Sequence, residues 1–253
     1  MRLQLVSDLH LELVKNPFEV SFESILTPSA EILLLPGDIG NPFYDIFQDF
    51  MKWCSEKFER VFYVPGNHEY YNGKPMPKVL KQIFDVTFSL DNVHVLHNDS
   101  LSLDIGEDKL AFIGTTLWSY IPDDKIKLVE FVINDFYRIH EFTAERYNQL
   151  HSESVKYLRE ELQKYRGRKC IVITHHLPSY QCIHEKYGSC DYNCAFASSL
   201  EELMKHENLK LWAFGHSHAS MSLTINGTHC ISNPLGYSAF ENPSYRRDKV
   251  IEV

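Results

Sequence analysis

The chain has 253 residues, 44% of them hydrophobic and 23% charged, enough to bury a sizeable core without disulfide staples and ordinary for a globular protein; disorder, collagen and coiled coil are excluded. Its 34 acidic side chains outnumber 25 basic ones, giving a net charge of −9, a poor footprint for long nucleic acids, which demand a basic surface. A phosphate substrate stays open, because metal ions supply positive charge locally.

In chain order, residues 2–6 form a short apolar run that stops at Ser7-Asp8. Residues 31–35 (EILLL) repeat the form and close on Pro36-Gly37-Asp38, and 60–64 (RVFYV) close on Pro65-Gly66-Asn67-His68. Residues 169–173 (KCIVI) end at Thr174-His175-His176, and 210–214 (KLWAF) at Gly215-His216. Continuous apolar runs of this length suit strands buried on both faces. Between them, apolar spacing predicts helices over 43–58, 77–88, 143–165 and 199–206, with Thr143 and Ser199 as N-caps. Short strands over 93–96, 101–105, 110–114, 221–225, 228–232 and 249–253 read as a mostly antiparallel continuation of the sheets. Asn226-Gly227 between two of them signals a hairpin. No repeat or linker interrupts the chain, so one domain over 1–253 is expected.

No run approaches the roughly 18–20 apolar residues that cross a bilayer. The opening MRLQLVSDLH lacks the apolar core of a signal peptide. A cytoplasmic or other intracellular location without membrane association is expected, with Cys54, Cys170, Cys182, Cys190, Cys194 and Cys230 as free thiols.

The polar ends of the apolar runs carry the chemistry. In α/β folds ligands bind outside the carboxyl ends of strands, and here those ends bear Asp8, His10, Asp38, Asn67, His68, His175, His216 and His218. Any one histidine after a strand is commonly an ordinary loop residue; the joint pattern is not. Mixed nitrogen and oxygen donors favour Mn, Fe, Co, Ni or Zn over Ca or Cu(I). Asp8-x-His10 and His216-x-His218 each present two donors on one side of a loop. So many donors are too many for one tetrahedral ion and suit two ions sharing a carboxylate.

Together, Asp8-x-His10, Gly37-Asp38, Gly66-Asn67-His68-Glu69, His175 and Gly215-His216-x-His218 resemble the five sequence blocks of the calcineurin-like metallophosphoesterases, in order and spacing, from Asp8 to about Tyr237. The resemblance implies an α/β fold, a four-layer α-β-β-α sandwich of two mixed sheets. It implies that Asp8, His10 and His218 hold one divalent transition-metal ion and Asn67, His175 and His216 a second, with Asp38 bridging. It further implies that His68 donates a proton to the leaving oxygen while a metal-bound hydroxide attacks the phosphate ester. His176 directly follows His175; the first position past the strand favours His175.

Protein phosphatases of the superfamily carry phosphate-clamping arginines after the second and third blocks. Here Ile39-Gly40-Asn41 and Tyr70-Tyr71 stand there, and Leu235 takes an arginine's position in Asn233-Pro234-Leu235-Gly236-Tyr237. A small phosphodiester is therefore the expected substrate. Phosphomonoesters, phosphoproteins included, are the alternative, and a non-catalytic scaffold of the same fold is a third reading, disfavoured by the full set of ligand positions and His68.

Residues 176–198 form an insert between the last two blocks and are expected to act as a specificity loop, with Tyr180, Tyr187 and Tyr192 facing substrate or packing. Cys182, His184, Cys190 and Cys194 within it could hold a structural zinc, although their spacing matches no common finger. His94 and His97 read as surface or structural. Trp118 and Tyr120 read as either site rim or core, and Phe131, Phe136 and Tyr137, at helical spacing, as core or cap.

Overall fold

A computed structural model describes residues 1–17, 20–238 and 241–253. The apolar runs become strands of two sheets. The first has the order β11-β1-β2-β3-β4, from β1 (Arg2–Leu5), β2 (Ile32–Pro36), β3 (Arg60–Val64), β4 (Val93–Val95) and β11 (Val250–Glu252). The second has the order β5-β6-β7-β8-β10-β9, from β5 (Asp99–Ile105), β6 (Asp108–Thr115), β7 (Lys169–Thr174), β8 (Leu209–Phe214), β9 (Met221–Ile225) and β10 (Thr228–Ser232). Both are mixed. The short strands are less antiparallel than the sequence suggests: β4 runs parallel to β3, β6 to β7 and β10 to β8, while β5/β6, β9/β10 and β11/β1 are antiparallel. Parallel pairing follows from burial, since these strands lie between layers and need no solvated face. Asn226 and Gly227, both at positive φ (50° and 89°), turn the β9–β10 hairpin as a type I′ pair requires.

Three apolar clusters set the layers. Leu5, Leu34, Phe62 and Val64 of the first sheet meet Phe112, Ile171, Ile173 and Ala213 of the second, with the Phe62 and Phe112 rings stacked at 3.9 Å. On the outer face of the first sheet, Leu33, Leu35, Val61 and Tyr63 pack against α1 (Asp45–Lys57), through Phe47, Phe50 and Met51, and α2 (Met76–Thr87), through Val79 and Ile83. On the outer face of the second, Ala111, Ile113 and Val172 pack against Leu158 and Leu162 of α5 (Ala144–Lys164). The Thr143 side chain caps α5 by accepting from the Arg146 N–H at 3.2 Å.

Two expectations need correction. Residues 199–206 form turns ending in a 3-10 turn at Leu203–Lys205, and Ser199 caps nothing. The Leu200 N–H donates to the Pro178 carbonyl, which ties the segment to the preceding insert instead of to a helix of its own. Two short helices, α3 (Ile126–Val132) and α4 (Asp135–Arg138), occupy the stretch where Phe131, Phe136 and Tyr137 recur at helical spacing, but those side chains are not all core or cap. Phe136 packs on the first core, whereas Phe131 and Tyr137 are 77% and 64% exposed and belong to neither core nor buried cap. Trp118 is core, and Tyr120 is half in solvent. Among the described residues no helix is long and apolar enough to cross a membrane, and all six cysteines are unpaired.

Candidate metal centre

β1, β2, β3, β7 and β8 deliver their carboxyl ends to one edge of the sandwich. Each chain then bends sharply. Asp8, His10, Asp38, His216 and His218 all adopt the left-handed backbone region, with φ between 44° and 68°. For residues with a Cβ this is uncommon and costs on the order of 1 kcal/mol or more each, so the surrounding fold must impose it. Two glycines allow the approach. A Cβ on Gly66 would collide with Asp38 Oδ1, and one on Gly215 would meet Asp8 Oδ2 at 2.7 Å. Buried Glu69 then locks the loops after β2 and β3 together, accepting from the N–H groups of Ile39 and Gly66 at 2.7 Å and of Asp38 at 3.1 Å.

Every expected ligand side chain reaches this edge. Asp8, His10, Asp38 and His218 form one group whose ligand atoms lie within 4.8 Å of one another, and Asp38, His175 and His216 form a second. Asp38 belongs to both. Its Oδ2 lies 3.9 Å from His10 Nε2 and its Oδ1 lies 3.4 Å from His175 Nε2. Asn67 joins the second group through Oδ1, 2.8 Å from His175 Nε2.

The hydrogen-bond partners indicate what this edge could hold. His175 Nδ1 lies 2.8 Å from the Pro36 carbonyl, which can only accept, so Nδ1 carries a proton and the neutral ring presents a lone pair at Nε2. That lone pair faces the oxygen of Asn67, whose Nδ2 donates to Asp135 at 2.7 Å. With a neutral ring, two acceptors confront each other at hydrogen-bond distance. The same occurs at the first group. His10 Nδ1 faces the Glu12 carboxylate at 3.2 Å, and His218 Nδ1 faces Glu241 at 3.0 Å, leaving the two Nε2 atoms 3.0 Å apart. Converging lone pairs fit a cation. Carboxylates and a carbonyl behind metal-facing imidazoles are the usual outer partners of such ligands.

Electrostatics agree. Burial pushes the Asp8 carboxyl up to about 6, against the pull of His218 and His175, and pushes Asp38 well above the usual carboxylate range despite His68 nearby. Burial also lowers His10 to about 4 and His216 well below its ordinary value, so these imidazoles stay neutral and ligand-ready. A divalent cation here would offset the two buried carboxylates and accept the imidazole lone pairs.

His176 points away from this edge. Its Nδ1 faces the Thr116 carbonyl at 3.3 Å, its Nε2 has no protein partner, and its ring lies 4.2 Å from that of His216. His68 stands beside the centre, with Nδ1 3.4 Å from Glu12 and Nε2 3.3 Å from the Tyr237 hydroxyl, and Tyr71 stacked on its ring at 4.1 Å. Burial opposes its charge, but Asp38, Glu12 and Asp135 outweigh that and hold its pKa above the ordinary value. Glu12 is driven the other way: burial would raise it, yet bonds to His10 and His68 hold it down at about 2.

A groove of about 580 Å³ opens over the centre. One wall is Val132, Ile133 and Asn134; the other is the 176–198 insert, through Ile183, Lys186, Tyr187, Tyr192 and Phe196. Tyr180 does not line it. The cysteines of the insert do not converge: Cys182 is buried in the second core, Cys190 lines the groove, and among the described residues no cysteine joins a metal-sized ligand group. Glu12, Asp135, Lys186 and Glu241 were not singled out from sequence. Glu12 could have been, since it shares a loop face with His10 two residues earlier. The others meet the site only through the tertiary fold.

The family model for calcineurin-like phosphoesterases matches residues 1–220. The chain is 30% identical over 266 aligned positions to an uncharacterized protein of Acanthamoeba polyphaga mimivirus, covering 95% of this chain and 92% of that one. It is 21% identical to a probable cyclic nucleotide phosphodiesterase of Coxiella burnetii, covering 100% and 89%. Among solved structures it resembles the phosphopantetheinyl hydrolase of Mycobacterium tuberculosis, at a TM-score of 0.73 and 17% identity, over 94% of this chain and 90% of that one.

Proposed function

The chain belongs to the calcineurin-like phosphoesterases, and from that premise we propose that it is a dinuclear metal-dependent phosphodiesterase acting on small substrates. The observation that carries the reading is Asp38, which faces one imidazole group with each carboxylate oxygen. Asp8, His10 and His218 hold one divalent transition-metal ion, Asn67, His175 and His216 the other, and Asp38 serves both. Bound there, the ions supply Lewis acidity that neutralises phosphoryl oxygens and acidifies a water molecule.

The remaining chemistry belongs to the chain. His68 keeps its Nδ1 proton on Glu12 and carries the Nε2 proton toward the leaving oxygen, a general-acid contribution of typically 10²–10⁴-fold. Glu12 and Tyr71 hold that ring in place, and the Glu12 carboxylate favours its protonated form. The groove walls exclude water and seat the substituents of the ester.

Three features support a diester. Lys186 is the one lysine or arginine among the described residues lining the groove, so a dianionic monoester finds no guanidinium clamp. The groove far exceeds a phosphoryl group in size, and its apolar walls suit a second substituent. The Coxiella relative's name describes a phosphodiesterase. The 176–198 insert acts as the specificity loop of a single domain spanning 1–253. The acidic charge disfavours long nucleic acids, and six unpaired thiols support a cytoplasmic setting.

The test is a rate ratio, bis-p-nitrophenyl phosphate against p-nitrophenyl phosphate, after chelator stripping and Mn²⁺ addition. A ratio well above one is expected. A ratio well below one would make the enzyme a monoesterase, with phosphoproteins among its candidate substrates.

A further inference from the structure

Asp135 lies on α4, outside every sequence block, and is 1% exposed. Among the described residues no lysine or arginine pairs with it. Its Oδ1 accepts from Asn67 Nδ2 at 2.7 Å and from the Tyr71 hydroxyl. The Asn67 amide also donates toward the Tyr71 oxygen at 3.2 Å, so the three side chains close a small network.

An amide has a donor end and an acceptor end of nearly equal shape, and its neighbours decide which way round it sits. Turned over, Asn67 would aim its NH₂ at His175 and at any cation there, and its oxygen at a carboxylate. The Asp135 Oδ1 that faces Asn67 also accepts the Tyr71 hydroxyl, so Asp135 presents an acceptor to the amide and disfavours that orientation. We propose that Asp135 is the positioning residue of the second metal subsite: it fixes the Asn67 oxygen toward His175, and through Tyr71 it holds the face of His68. The proposal rests on the dinuclear reading above.

Asp135 follows directly on Val132, Ile133 and Asn134, which line the groove. The α3–α4 segment is therefore both a wall for substrate and a brace for one ligand of the centre. Outer-sphere partners of this kind are typically worth 10- to 100-fold in metal affinity.

The experiment is a Mn²⁺ titration of the full chain after chelation, read by the stoichiometry and affinity of bound ion. The parent should bind two ions. Asp135→Asn frees the amide and should weaken one of the two by about 10- to 100-fold, leaving the other unchanged. Asn67→Asp sets two carboxylates against each other and should weaken the same ion. The double variant Asn67→Asp/Asp135→Asn rebuilds the bond with reversed polarity and should restore affinity to within about threefold of the parent, a rescue that general damage to folding would not give. If Asp135→Asn alone does not fold, the double variant is compared with Asn67→Asp, and the same rescue is required. A parent that binds fewer than two ions overturns the dinuclear reading. A parent that binds two, with Asp135→Asn binding both as tightly or the double variant no better than Asn67→Asp, overturns the role of Asp135.

Discussion

Asp8→Asn should stabilise the metal-free protein while removing its ability to hold the first ion. Asp8 is fully buried, and its folded-state pKa of about 6 lies above the ordinary 3.8. The carboxyl therefore favours the folded chain at pH below 3.8, and that contribution disappears as the pH climbs through about 6. The shift corresponds to about 3 kcal/mol withdrawn at pH 8. An amide of the same shape avoids that loss and still accepts from the His216 N–H, which bonds Asp8 Oδ1 at 2.9 Å, although the weaker neutral bond costs about 1 kcal/mol. The net expectation is a gain of about 2 kcal/mol, or about 4–8 °C in Tm for a chain of this size. The assay is urea unfolding in chelator at pH 4 and pH 8, repeated with Mn²⁺. At pH 8 in chelator the variant should be the more stable, and at pH 4 the two should converge. With Mn²⁺ at about 100-fold over Kd the ion that only the parent holds should add about 2.7 kcal/mol to the parent alone, so the parent overtakes the variant. A parent at least as stable as Asp8→Asn in chelator at pH 8 would refute the reasoning, because the buried charge would then be satisfied without a cation.

His68→Ala should keep both ions and lose turnover in proportion to leaving-group basicity, by 10²–10⁴-fold for an alkyl ester and little for p-nitrophenol; equal losses on both would remove the general-acid role. Lys186→Ala should raise KM several-fold for substrates with a second anionic group and leave kcat nearly unchanged, measured on paired substrates that differ in that group. Gly66→Ala should cost about 1–3 kcal/mol and impair metal binding, because the new methyl meets Asp38 Oδ1 and lies 2.8 Å from His175 Cε1; circular dichroism melts and metal analysis would show an unaltered protein if the close approach is not needed.

The strand ends were readable because buried parallel strands are continuous apolar runs, and because chelating residues interrupt such runs conspicuously. The choice of His175 over His176 came from its place as the first residue past the strand; in the structure the His175 ring faces the Asn67 oxygen and the His176 ring the Thr116 carbonyl. What supports these ligands was not readable. Asp135 sits on a short helix and Glu241 in a turn, and each meets its partner, Asn67 or His218, only after the chain has folded. Residues 199–206 misled for a related reason, since capping-box spacing describes a local preference and the Leu200–Pro178 hydrogen bond is tertiary. Strand direction failed similarly, because alternation reports which faces are buried and not which neighbour pairs.

The most direct measurement is anomalous diffraction from crystals soaked in Mn²⁺ after chelation. The account predicts two peaks flanking the Asp38 carboxylate, one among Asp8, His10 and His218 and one among Asn67, His175 and His216. A single peak, or a peak in the neighbouring group of His10, Glu12 and His68, would contradict the shared carboxylate on which the proposed chemistry depends.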